Sequence, residues 1–143
     1  MMAAMAKPIG VVWEILSDSL VVTYSGEGAT AEQWQDYMTM IRGARDRGVT
    51  RFLIYADVSP PTSVLADIAS VARGQPWQVS LISPSTAVRF AASTFSFVIK
   101  GFRFFVPENV ADALAHLGCD VALQRRGREL LDRMRGVPDQ ATR

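Results

Sequence analysis

One cysteine and one histidine in 143 residues leave little material for the commonest site chemistries. Cys119 alone excludes an intrachain disulfide and a Cys-x-x-Cys metal pair, and it suits a reducing cytoplasm. His116 would need carboxylates that no spacing assembles before it could hold a metal, and as a base for Cys119 it is weakly placed across Gly118. Charge of one sign is lacking too. Fifteen Lys and Arg against 14 Asp and Glu give a net +1, so no global field recruits nucleic acid or an anionic membrane. The most apolar stretch, 88–106, is broken by Arg89, Lys100, Gly101 and Arg103, short of the roughly 20 apolar residues a membrane span needs. Residues 1–10 show no charged segment followed by a long apolar core, so no signal peptide is expected and the chain is read as cytoplasmic. Gly26-Glu27-Gly28 lacks the third glycine of a dinucleotide loop and reads as a turn. No catalytic residue, cofactor or metal ligand can be nominated, and a protein that is not an enzyme is the expectation.

What remains is globular composition, 49% hydrophobic and 20% charged, at a length that suits one domain. The chain is organised around 51–63, RFLIYADVSPPTS, where an apolar β-type run meets Asp57 and turns through Ser59-Pro60-Pro61 into a helix start. Before it, 9–16 and 20–24 read as a hairpin across Ser17-Asp18-Ser19. A helix opens at Thr30, where Thr30-Ala31-Glu32-Gln33 forms a capping box, and Trp34, Met38, Ile41 and Ala44 make its apolar stripe. After the central strand 51–57, a second helix carries Val64, Leu65, Ile68, Val71 and Ala72 to Gly74. A fourth strand at 79–82, a third helix at 86–100, a fifth strand at 102–106 and a fourth helix opened by Pro107 follow. An amphipathic, arginine-rich helix ends the chain, expected to pack through Leu130, Leu131 and Met134. The order β-β-α-β-α-β-α-β-α predicts a mixed, mostly parallel five-stranded sheet with one antiparallel neighbour and an extra C-terminal helix. The division expected is a lead-in at 1–8, a domain at 9–118, and an arginine-rich helix and tail at 119–143.

This order, with the phrases SLVVTYSGEGATAEQWQDYM, RFLIYADV and FRFFVPENVADALAHLG, resembles the STAS-like superfamily over roughly 9–118. It is most similar to the stand-alone bacterial SpoIIAA-like relatives of the anti-sigma factor antagonists. The resemblance implies helices mainly on one face of the sheet, no enzyme chemistry and a protein partner. Antagonist members carry an Asp-Ser-Ser-Gly-like phosphoacceptor at the strand-to-helix junction. This chain reads Asp57-Val58-Ser59-Pro60-Pro61-Thr62-Ser63 there, so the resemblance carries over the junction and not the motif.

Two candidate sites follow. Asp57, Ser59, Thr62 and Ser63 form a regulatory or phosphoacceptor junction, since phosphate at a helix N-terminus meets free amides and the positive dipole end. Alternatively one hydroxyl simply caps the second helix, with the prolines shaping the turn and Asp57 a turn residue. The third helix has an unusually wide apolar face, and Phe90, Phe95, Phe97 and Ile99 are core, a homodimer face or the wall of a lipophilic-ligand cavity, in that order. The function expected is a non-enzymatic, STAS-like module for regulatory protein–protein interaction. The alternative is a small carrier or sensor of a lipophilic ligand.

Overall fold

The computed structural model describes residues 9–137. Strands β1 (Val11–Leu16) and β2 (Leu20–Ser25) form an antiparallel hairpin, followed by helix α1 (Ala31–Asp46) and strand β3 (Arg51–Ala56). Helix α2 (Thr62–Ala72), strand β4 (Gln78–Ile82), helix α3 (Thr86–Ala92) and strand β5 (Gly101–Phe105) come next. Helices α4 (Val110–His116) and α5 (Val121–Arg135) complete the described chain. The sheet order is β1-β2-β3-β4-β5, with β2 to β5 mutually parallel. The predicted five-stranded mixed α/β architecture is therefore present.

Local chemistry explains the element ends. Ser17 and Asp18 take positive φ at the hairpin turn, and the Ser19 N–H closes it on the Leu16 carbonyl. Mirror-image turns of this kind match the twist of paired strands. The capping box at Thr30 forms as read, its hydroxyl accepting from the Gln33 N–H while the Gln33 side chain accepts from the Thr30 N–H. Strand β5 opens at Gly101, one residue before the strand read from the sequence. A Cβ there would lie 2.4 Å from the Trp77 carbonyl oxygen, so only glycine lets β5 start this close to β4.

One expectation needs correction here. The third helix does not run over 86–100: it stops at Ala92 and tightens into a 3₁₀ turn, Ser93–Phe97. The Ser93 hydroxyl donates to the Phe90 carbonyl and the Ser96 hydroxyl to the Ser93 carbonyl, local bonds that compete with helix continuation. Thr94, Phe95, Phe97, Val98 and Ile99 are also indifferent helix formers. Three of the four helices before the C-terminal one share a face, in line with helices mainly on one side. α1, α2 and α3 cover one face of the sheet, but α4 lies with α5 on the other. The chain runs out of strands at β5, and α4 turns its Val110, Ala113, Leu114 and Leu117 back under the sheet.

Alternation along the strands builds the two cores. Val21, Phe52 and Val79 point to the first face with Trp34, Ile41, Val71 and Val88. Val22, Leu53 and Ile82 point to the second, with Leu114, Leu117, Leu130 and Leu131. The expected packing of the last helix through Leu130 and Leu131 is observed. Buried polar side chains are engaged: the Ser80 hydroxyl donates to the Ala113 carbonyl at 2.7 Å and the Ser83 hydroxyl to the Ala56 carbonyl at 2.5 Å. No described helix is long and apolar enough to cross a membrane.

Candidate functional site

The carboxyl ends of β2 and β3 meet at the junction read from the sequence. The Asp57 and Val58 N–H groups both donate to the Ser25 carbonyl, and the Ser25 hydroxyl donates to the Val58 carbonyl at 2.9 Å. On the second face the Tyr24 phenol donates to Asp57 Oδ2 at 2.5 Å. Tyr24 and Tyr55 are register partners, and their rings stack at 6.1 Å and 22°. The Arg135 guanidinium sits 4.1 Å above the Tyr55 ring, so the end of α5 covers this cluster. Burial first, then the Asp57 carboxylate, push the Tyr24 phenol far above its ordinary range. That phenol keeps its proton and acts as a donor, which makes Asp57 a tether for the loop.

The other junction residues separate. Ser59 is half-buried and its hydroxyl donates to the Pro60 carbonyl at 3.2 Å. Thr62 and Ser63 are exposed in the first turn of α2. None of the three caps that helix, whose N-cap is Pro61 with no side-chain hydrogen bond. Proline supplies the extended backbone before the first turn, so the capping alternative is not what these hydroxyls do.

Above the first face lies a feature that the junction partly frames. An apolar cavity of about 80 Å³ sits between the sheet and helices α1, α2 and α3. Its floor is Thr23, Phe52, Ile54, Val79 and Leu81 of the strands, and its roof includes Trp34, Tyr37, Leu65, Ile68, Val88 and Ala92. Ser59 and Pro60 line it at the junction, and Phe95, Ile99 and Phe102 line it on the β5 side. Phe52 and Trp77 pack with ring centroids 4.5 Å apart, and Trp34 meets Tyr37 edge-on at 5.8 Å. The Thr23 and Tyr37 hydroxyls share a buried hydrogen bond of 3.1 Å. Burial pushes the Tyr37 phenol up to about 12, against a smaller lowering by the Thr23 bond.

The four residues of the apolar candidate face are thus divided. Phe95 and Ile99 are buried in the cavity wall, whereas Phe90 and Phe97 are 82% and 90% exposed. The expectation of one continuous face is corrected by this division. The cavity residues Thr23, Tyr37, Phe52 and Trp77 were not singled out from sequence. A polar Thr23 in the middle of a fully buried strand was the available signal.

A second cleft, of about 540 Å³, runs along β5, which is an edge strand, and is lined by Arg89, Arg103, Asn109, Asp112 and His116. Arg89 stacks over Phe104 at 5.2 Å and Arg103 over Phe105 at 5.5 Å. The His116 ring bonds the Gly101 carbonyl at 2.7 Å. Cys119 is buried, and burial raises its thiol, the opposite of what a thiolate nucleophile needs. Among the described residues no group of three His, Cys, Asp or Glu side chains is arranged to hold a metal ion. Compared with protein-family models, with curated proteins and with solved structures, the chain finds no match.

Proposed function

We propose that this chain is a non-catalytic binding module that takes up a small apolar molecule between its sheet and helices α1 to α3. The observation that carries the reading is the cavity of about 80 Å³ walled by aromatic and aliphatic side chains. Protein interiors are close-packed, and a void of this size forfeits contacts that larger side chains would supply. An apolar guest restores them. The lip at Ser59 and Pro60 supports a link from occupancy to the junction, because a guest would press on the segment bolted to Ser25. The test is solvent extraction of protein recovered from the cells that make it, followed by gas chromatography with mass detection. Wild type should yield a stoichiometric small organic compound that Ala92→Leu and Ala56→Val lose, since both alanines line the cavity. An equal, empty extract from all three proteins would discard the reading.

A second reading is a STAS-like module for regulatory protein–protein interaction, either with a partner or as a homodimer. Two phenylalanines, Phe90 and Phe97, left 82% and 90% exposed within eight residues of each other, favour it as apolar area that a partner could cover. So does the sheet with consecutive strand order and one antiparallel hairpin. Its homodimer form predicts that light scattering gives twice the monomer mass, falling to one when Phe90 and Phe97 are replaced by Ser. A monomer mass for wild type at high concentration removes the homodimer.

A further inference from the structure

The cavity's hydroxyls carry more information than its size. Four hydroxyl-bearing residues line it: Thr23, Ser25, Tyr37 and Ser59. The Ser25 proton goes to the Val58 carbonyl and the Ser59 proton to the Pro60 carbonyl. Thr23 and Tyr37 bring two O–H protons between them, and their one shared hydrogen bond uses one. Among the described residues neither hydroxyl has a further hydrogen-bond partner. One O–H donor of the pair is therefore left over in a wall that is otherwise apolar. Both residues are buried, Thr23 at 1% and Tyr37 at 3% exposure, so bulk water does not take that proton. Burial keeps the Tyr37 phenol neutral far past physiological pH, so the pair retains both protons.

We infer that the guest is a small uncharged molecule with an apolar body and one hydrogen-bond acceptor, seated on the Thr23–Tyr37 hydroxyl pair. This rests on the proposed cavity function and narrows it. No Lys, Arg, His, Asp or Glu lines the cavity, so an ionised guest would lose its hydration with no counter-charge. An acceptor atom completes the hydrogen bonding of the leftover donor, which a pure hydrocarbon cannot do. The volume of about 80 Å³ is roughly half that of a 150 Å³ apolar cavity that holds benzene, which limits the guest to about three to five heavy atoms. Short ketones, aldehydes and ethers fit the description.

The experiment uses two probes of one shape, 2-butanone and 2-methyl-1-butene, in which a carbonyl oxygen is exchanged for a methylene. Each is titrated into the full chain and followed by the NMR shifts of the Ile54, Leu65, Val79 and Leu81 methyl groups, all in the cavity wall. The same titrations are run on the double variant Thr23→Val with Tyr37→Phe, which removes both hydroxyls and keeps the shapes. The expected result is a ketone-to-alkene affinity ratio at least about tenfold higher in wild type than in the double variant, equivalent to about 1.4 kcal/mol. Equal ratios, with both probes still shifting the wall methyls, would overturn the acceptor inference and leave the apolar cavity standing. If neither probe shifts those methyls in wild type, the proposed function fails with it. Should the double variant not fold, Thr23→Ala with Tyr37→Phe takes its place, because either hydroxyl kept alone would still offer one unpaired proton.

Discussion

Leu131→Ala is expected to lower the free energy of unfolding by about 2–5 kcal/mol, the usual range for truncating a buried leucine. Leu131 is 0% exposed and packs with Leu20, Val22, Leu114 and Leu117 beneath the sheet. Nothing from solvent can collapse into the space it would vacate. The contact is close one turn earlier as well: a Cβ on Gly127 would lie 3.2 Å from a Leu20 methyl and 3.4 Å from a Leu114 methyl. With domain stabilities of about 5–15 kcal/mol, such a loss is a large fraction of the total. Urea unfolding of wild type and variant measures it directly through the midpoint. Leu123→Ala, at a partly exposed position on the same helix, should cost less. If Leu131→Ala costs under about 1 kcal/mol, α5 is an accessory element and not a cover for the second face.

The strands were legible because each carries β-branched and aromatic residues in a short run bounded by turn formers. Thr30 to Gln33 announced α1 by a purely local device, and the Leu130 and Leu131 pair announced the packing face of α5. All of these depend on neighbours within a few residues. The face chosen by α4 does not. Its apolar set, Val110, Ala113, Leu114 and Leu117, fits either side of the sheet, and the side it takes rests on a cluster with distant residues such as Leu20, Leu53 and Leu131. The division of the phenylalanines depends on the break after Ala92, which a helix read over 86–100 conceals. Phe90 lies on α3, while Phe95 and Phe97 lie in the 3₁₀ turn that follows it, one buried and one exposed. The Tyr24–Asp57 bond and the Thr23–Tyr37 pair join residues 33 and 14 positions apart, so only the register of β2 with β3 and the docking of α1 bring them together. The cavity is the least legible feature, because a void is what several elements jointly fail to fill.

Raising the pH above 10 should destabilise the protein through Tyr37, and Tyr37→Phe should remove that part of the loss. The sign follows from the two proton affinities. An unfolded tyrosine ionises near 10, whereas burial holds the native Tyr37 phenol up to about 12. Below pH 10 both states keep the proton, and the stabilisation is present in full. Between pH 10 and 12 the unfolded chain binds fewer protons than the native one, so the free energy of unfolding falls as pH rises. The full loss is about 2–3 kcal/mol, two pH units at about 1.4 kcal/mol each. The Tyr24 phenol, also raised, contributes with the same sign, so the wild-type fall exceeds that of Tyr37 alone. The informative quantity is therefore the difference between wild type and Tyr37→Phe, taken from urea midpoints at pH 9, 10.5 and 11.5. Parallel curves would mean that the phenol meets solvent in the native state, and that the wall between α1 and the sheet is open at Thr23. A variant curve that falls less steeply than the wild type's would hold the pair in a sealed wall, which is what the leftover hydroxyl proton needs if it is to wait for an acceptor.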